Sequence, residues 1–147
     1  GAALRGWHSP AHSESSHTLR FVAEAGFSFT TGWANDDMPY AMQTEAGGLI
    51  CMPLSQDLSD QRMLHQQHLA TEDFTNAILA AHEVLDGEAQ ETGSGRILTV
   101  PVTPWLMGVP HRIRAFNAML DAIMARGNIW PATMGQIAEH WRAQNPD

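Results

Sequence analysis

Apolar and polar positions along this chain alternate between helical and strand spacing. The start, 2-AALRGW-7, reads as the end of a strand running into a loop at Ser9 and Pro10. In 13-SESSHTLRFVAEAG-26, Leu19, Val22 and Ala23 fall on one helical face behind serine caps, and a glycine stops the segment. The run 27-FSFTT-31 alternates and is rich in β-formers, which predicts a strand. A loop follows over 32-GWANDDMPY-40, then a short buried strand over 48-GLICMP-53, then the polar, irregular 54-LSQDLSDQRMLHQQHLA-70.

Thr71 can cap a long helix over 72–90, where Phe74, Ile78, Leu79 and Leu85 recur at helical spacing. The run 96-RILTVPV-102 predicts a strand interrupted by proline. The clearest helix is 111-HRIRAFNAMLDAIMARG-127, with Ile113, Phe116, Leu120, Ile123 and Met124 in one stripe. A short strand near 129–133 and a helix over 135–144 close the series. Strands and helices in alternation predict an α/β fold with parallel strands and helical crossovers. Chemistry in such folds collects in loops after the strands. Here these loops are 7-WHSPAH-12, 32-GWANDDMPY-40, 54-LSQDLSD-60 and 103-TPWLMGVPHR-112.

Composition narrows the function classes. The chain has 147 residues, enough for one domain, and its 44% hydrophobic content allows a sizeable core. Eight Lys plus Arg against sixteen Asp plus Glu give a formal charge of −8. That balance disfavours nucleic acid and anionic membrane surfaces, both of which need clustered cations. The single Cys51 rules out an internal disulfide and any multi-cysteine zinc site, and its apolar setting predicts an inert buried thiol. No segment reads as a signal peptide or approaches the roughly 20 apolar residues of a membrane span, so the expected compartment is a reducing cytoplasm.

Each chemical candidate has a plain alternative. His8 and His12 have metal-ligand spacing, but Pro10 between them opposes the helix that would bring them together. A loop lining a cleft is the better reading. His65 and His68 could converge on a helix or lie on a solvated face. Asp36 and Asp37 can line a pocket, while Asn35 and Asp36 can cap a turn before Pro39, and the two roles need not exclude each other. Asp57 and Asp60 read as solvated carboxylates. Trp7, Trp33 and Trp105 each follow a predicted strand, so they line an aromatic cleft or belong to the core. His111 and Arg112 place cations at a helix start, against the helix dipole, which points to another role such as an ion pair with a loop carboxylate. No GxSxG elbow or glycine-rich phosphate loop is present.

The same loops resemble the second half of a polysaccharide deacetylase (NodB homology) domain, in the branch of allantoinase-like and cyclic-imide-hydrolysing proteins. The matching stretches are 6-GWHSP-10, 13-SESSHTLRFVAEAGF-27, 33-WANDDMPY-40, 53-PLSQDLSD-60, 104-PWLMGVPHRIRAFNAMLDAI-123 and 129-IWPATMGQIAEHW-141. The resemblance implies the later part of a distorted (β/α)7 barrel, with residues 1–147 a single partial domain. It implies hydrolysis of amide, N-acetyl or cyclic amide bonds in an amino sugar or other small amide. It also implies a divalent metal such as zinc, held by an aspartate and an HxxxH pair in the first half, so no cofactor is expected on this chain. The substrate-side wall is then assigned to Trp7, Ser9, Trp33, Asp36, Asp37, Thr103, Trp105, His111 and Arg112, with no catalytic or metal residue among them.

Four positions depart from the family pattern. Gly32 stands where an acidic residue often precedes the tryptophan, Leu54 where an aromatic residue often follows the proline, and Gln136 where a glutamate is usual. Thr103 stands where a catalytic histidine is usual, and a hydroxyl cannot protonate a leaving amine near neutral pH as imidazolium does. The alternative is therefore a degenerate, non-catalytic binding or partner subunit. Unpaired strand edges in half a barrel favour completion by a second chain or by homo-oligomerisation.

Overall fold

The structure, a computed structural model, describes residues 4–146. The predicted strand start at Ala2 and Ala3 lies outside the described residues. The chain forms two compact units, one from the residues up to Leu54 together with those from Pro131 onward, the other Ser55–Trp130.

The first unit is built on a four-stranded sheet in the order β1-β2-β4-β3. Strands β1 (Gly6–Trp7), β2 (Phe29–Thr30) and β4 (Gly47–Cys51) run parallel, with Gly6 opposite Phe29 and Phe29 opposite Ile50. Strand β3 (Tyr40–Thr44) adds an antiparallel edge, with Tyr40 opposite Cys51 and Thr44 opposite Gly47. The hairpin closes at the Thr44 hydroxyl, which accepts the Ala46 N–H at 3.1 Å and donates to the Gly47 carbonyl at 2.7 Å. Helix α1 (Thr18–Glu24) connects β1 to β2 and buries Val22. It is shorter than the predicted 13–26, because residues 13–17 form a loop with Ser15 and Thr18 hydrogen-bonded to each other. Gly6 has a packing reason. A β-carbon there would lie 2.2 Å from the Phe29 ring, so only glycine lets the ring sit on β1.

The second unit is helical. Helix α2 (Thr71–Thr92), α3 (Pro104–Met107) and α4 (Pro110–Met124) pack around Phe74, Ile78, Leu106, Met107, Met119 and Ile123. Met63 and Leu64 join that core from a π-helical turn, Gln61–Gln66, inside the segment predicted to be irregular. Ala70, and not Thr71, is the cap residue of α2, and its N–H is held by the Asp73 carboxylate at 3.0 Å. The strand predicted at 96–102 is irregular. Pro101 has no N–H to donate, and its carbonyl accepts the Asp60 amide, while the Thr99 hydroxyl accepts the Ser55 amide. The segment predicted as a strand near 129–133 is likewise irregular. Helix α5 (Met134–Gln144), in the first unit, has the Thr133–Gln136 capping box, and its Glu139 pairs with Arg5 before β1. The α/β class holds, carried by a mixed sheet. No helix among the described residues is long and apolar enough to cross a membrane.

Candidate functional site

Strands β1 and β2 are parallel neighbours, so the loops that leave their carboxyl ends emerge at one edge of the sheet. These loops carry Trp7, Ser9, Trp33, Asp36 and Asp37. Their centre is a residue that sequence reasoning passed over, Glu14. One of its oxygens accepts the Ser9 hydroxyl at 2.8 Å and the other accepts the Trp33 indole N–H at 2.8 Å. Ser9 is buried, and its oxygen in turn accepts the Trp7 indole N–H at 2.9 Å. Two indoles thus converge on one carboxylate, Trp33 directly and Trp7 through the Ser9 hydroxyl. Trp7 also packs edge-on to Phe27 at 5.7 Å and is half-buried, while Trp33 is 44% exposed.

Gly32 belongs to the same cluster. A β-carbon at position 32 would lie 2.3 Å from the Glu14 carboxylate. The absent acidic side chain at 32 therefore coincides with a carboxylate delivered from the loop before α1. The only local signal for Glu14 is chemical. It is the one carboxylate between Trp7 and α1, and a buried hydroxyl and an indole N–H both seek acceptors.

The histidine pair behaves as a loop pair. Ala11 and His12 have left-handed backbone, φ 51° and 52°, so residues 8–12 do not form a continuous helical turn. The His8 Nδ1 meets the Thr31 hydroxyl at 2.8 Å, and the His12 Nδ1 meets the Gly32 carbonyl at 3.3 Å. The rings contact edge to face at 4.7 Å. Burial and the neighbouring His12 lower the pKa of His8, an effect partly offset by the charge of Glu14. No group of three or more His, Cys, Asp or Glu that could hold a metal occurs among the described residues.

Asp36 accepts the Met38 N–H at 3.0 Å, closing an Asx turn ahead of Pro39, and both Asp36 and Asp37 are exposed. Beneath this loop the Cys51 thiol donates to the Trp33 carbonyl at 3.0 Å. Cys51 is fully buried, and burial raises its thiol pKa. The Tyr40 hydroxyl is buried beside Cys51, and that burial pushes its pKa upward.

Thr103, Trp105, His111 and Arg112 lie in the second unit and form their own arrangement. Asp60, expected to be solvated, is only 1% exposed. It accepts the Thr103 N–H at 2.6 Å and the Thr103 hydroxyl at 3.0 Å, and its own N–H donates to the Pro101 carbonyl at 3.3 Å. The carboxylate thereby anchors the residue that starts α3. Trp105 on α3 is 61% exposed, and the His65 ring meets it edge-on at 5.7 Å. His68 lies beyond the π-helical turn with φ 57°, so the two histidines do not share one helical face. Arg112 donates to the Leu106 carbonyl at 3.0 Å and makes no ion pair with a loop carboxylate among the described residues, because its guanidinium satisfies the end of α3. His111 is exposed at the start of α4.

No family model matches the chain. A Schizosaccharomyces pombe protein named "Putative polysaccharide deacetylase" is 28% identical over 122 residues, covering 76% of this chain and 38% of that protein. Among solved structures, one described as Puue Allantoinase superposes with a TM-score of 0.86 at 25% identity, covering 97% of this chain and 47% of its own. A "probable Polysaccharide deacetylase" of Pseudomonas aeruginosa PAO1 gives 0.85 at 25% identity, also over 97% and 47%. The chain thus spans less than half the length of each of these three proteins. The resemblance read from the loops is borne out: this chain is similar to polysaccharide deacetylases and allantoinase, in a manner consistent with the C-terminal half of such a protein.

Proposed function

We propose that this chain forms the substrate-side wall of a hydrolase acting on non-peptide carbon–nitrogen bonds: an amide, N-acetyl or cyclic amide in a small molecule or amino sugar. The observation that carries the reading is the Trp7–Ser9–Glu14–Trp33 network at the carboxyl edge of β1 and β2, on a chain similar to deacetylases and an allantoinase. Tethered indoles offer flat apolar faces to a sugar or ring amide. Residues 1–147 act as one partial domain of a deacetylase-type barrel, working in the cytoplasm and completed by further polypeptide, a second chain or another copy. A divalent metal such as zinc would supply the activated water in the completed site. The described residues do not fit such an ion, so its ligands are assigned to the completing polypeptide. In the second unit, Thr103, Trp105, His111 and Arg112 are assigned to substrate contact on their own unit.

One observation favours a second reading, a non-catalytic binding subunit. Both oxygens of Asp60 are engaged by Thr103, a residue without an acid competent near neutral pH. The test pairs the chain with a polypeptide carrying an aspartate and HxxxH half-domain. It then follows amide hydrolysis of N-acetylglucosamine oligomers, allantoin and hydantoin with zinc present. Turnover supports the hydrolase. Binding of a probe without turnover, converted to turnover by Thr103→His, supports the degenerate subunit. Neither binding nor turnover of any probe contradicts both readings.

A further inference from the structure

We propose that Glu14 is the positioning residue of the first-unit wall. It orients the Trp33 indole directly and Trp7 through Ser9, and Gly32 leaves the room that carboxylate occupies, so a β-carbon there would displace it. The inference deepens the proposed function, and it rests on that reading only for its catalytic consequence. Its geometric content stands on distances within one unit.

Three observations converge. First, both oxygens of Glu14 are used, on partners five residues before it and nineteen after it in sequence, so the carboxylate ties the β1 loop to the β2 loop. Second, Ser9 is 1% exposed although it lies in a surface loop, and its single hydroxyl both donates to Glu14 and accepts from Trp7. A buried hydroxyl serving two partners fixes both and is costly to orphan. Third, the space any side chain at position 32 would occupy is filled by the carboxylate, 2.3 Å from the expected β-carbon. Gly32 does not have left-handed backbone, so alanine there is opposed by Glu14 and not by the chain conformation.

The chemistry distinguishes positioning from bulk stability. Glutamine at 14 can accept the Trp33 N–H with its amide oxygen and donate its NH2 to the Ser9 oxygen, whose second lone pair still takes the Trp7 N–H, so the heavy-atom frame is kept at the cost of the Ser9 proton's acceptor. Glu14→Gln therefore keeps the frame without the charge. Glu14→Ala removes it and frees the space beside Gly32.

The experiment is a double-mutant cycle on the 147-residue chain, read by acrylamide quenching of Trp33 and by urea denaturation. The Trp33 component is isolated as the difference between each variant and its Trp33→Phe counterpart. Glu14→Ala and Gly32→Ala should each raise the Trp33 quenching constant while far-UV circular dichroism is unchanged, and Glu14→Gln should leave it near the parent value. Gly32→Ala should lower the folding equilibrium constant by about tenfold in the parent and by less than about threefold in the Glu14→Ala background. Unchanged Trp33 quenching in Glu14→Ala, or an equal cost of Gly32→Ala in both backgrounds, would overturn the proposal. A chain that passes this cycle but forms no hydrolase when completed refutes the functional reading and leaves the positioning role intact.

Discussion

Replacing Asp60 by alanine removes two hydrogen bonds at once, the 2.6 Å bond from the Thr103 N–H and the 3.0 Å bond from its hydroxyl. Bonds to a charged acceptor contribute about 1.5–3 kcal/mol each, but Thr103 is only half-buried and water can recover part of the loss. The net expectation for Asp60→Ala is a loss of about 2–4 kcal/mol, a large share of the roughly 5–15 kcal/mol that holds a domain folded. Asp60→Asn keeps an acceptor for the N–H and a donor for the hydroxyl, so it should cost about 1 kcal/mol, through lost charge assistance. Thr103→Val removes only the hydroxyl and should also cost about 1 kcal/mol. Because the three groups form one contact, Asp60→Ala and Thr103→Val should be non-additive in combination. Urea denaturation at pH 7 gives the energies, and hydrogen exchange at the Thr103 amide gives the local effect, with protection lost in Asp60→Ala and kept in Asp60→Asn. A loss within about 0.5 kcal/mol for Asp60→Ala, the range of an ordinary surface change, would show that Asp60 is solvated after all.

Two further outcomes follow from the first unit. His8 is held below the ordinary histidine value of 6.5 by burial and by His12, so between its lowered value and 6.5 the unfolded chain binds more protons than the folded one. Its contribution to stability is therefore complete above about pH 6.5 and is lost as pH falls below it. Proton NMR of the ring should show His8 titrating below the free-histidine value, and His12→Ala should move the titration upward; no upward movement would refute the coupling. Cys51 is fully buried with a raised thiol pKa, so Ellman's reagent at neutral pH should react at the rate of unfolding and not in a fast phase. A fast stoichiometric reaction in the native chain would place the thiol at the surface.

The long amphipathic helices were legible because their stripes are local. Phe74 and Ile78 in α2 sit one turn apart and enter the core, as does Ile123 in α4. Ile113, Leu120 and Met124 of the α4 stripe are instead exposed, and Met119, outside that stripe, takes the buried place one turn before Ile123. The edge strand β3 was hidden in 40-YAMQT-44, where only one face is even partly covered and Pro39 suggests continued loop. The run 96-RILTVPV-102 has β-forming residues, but a strand is defined by its ladder, and this segment has none among the described residues. Of the loop residues that the family-like motifs carry, Trp7, Ser9 and Trp33 share one hydrogen-bond network, and Thr103 is bonded to Asp60 ahead of α3. Glu14 and Asp60 were missed for a common reason. Their partners lie up to 19 and 43 residues away, and a carboxylate in a polar stretch looks solvated until the fold brings its donors in. The hydrogen-bond demand of a buried serine or an indole is the signal that can find such residues.

The central claim is that this chain carries a wall of the site and not its metal. It is tested most directly by mass-spectrometric metal analysis of the purified 147 residues after equilibration with zinc and dialysis against buffer. The account predicts far less than one zinc per chain, unchanged by His8→Ala or His12→Ala. One tightly held zinc per chain, lost on replacing either histidine, would contradict it and make 6-GWHSPAH-12 a metal motif.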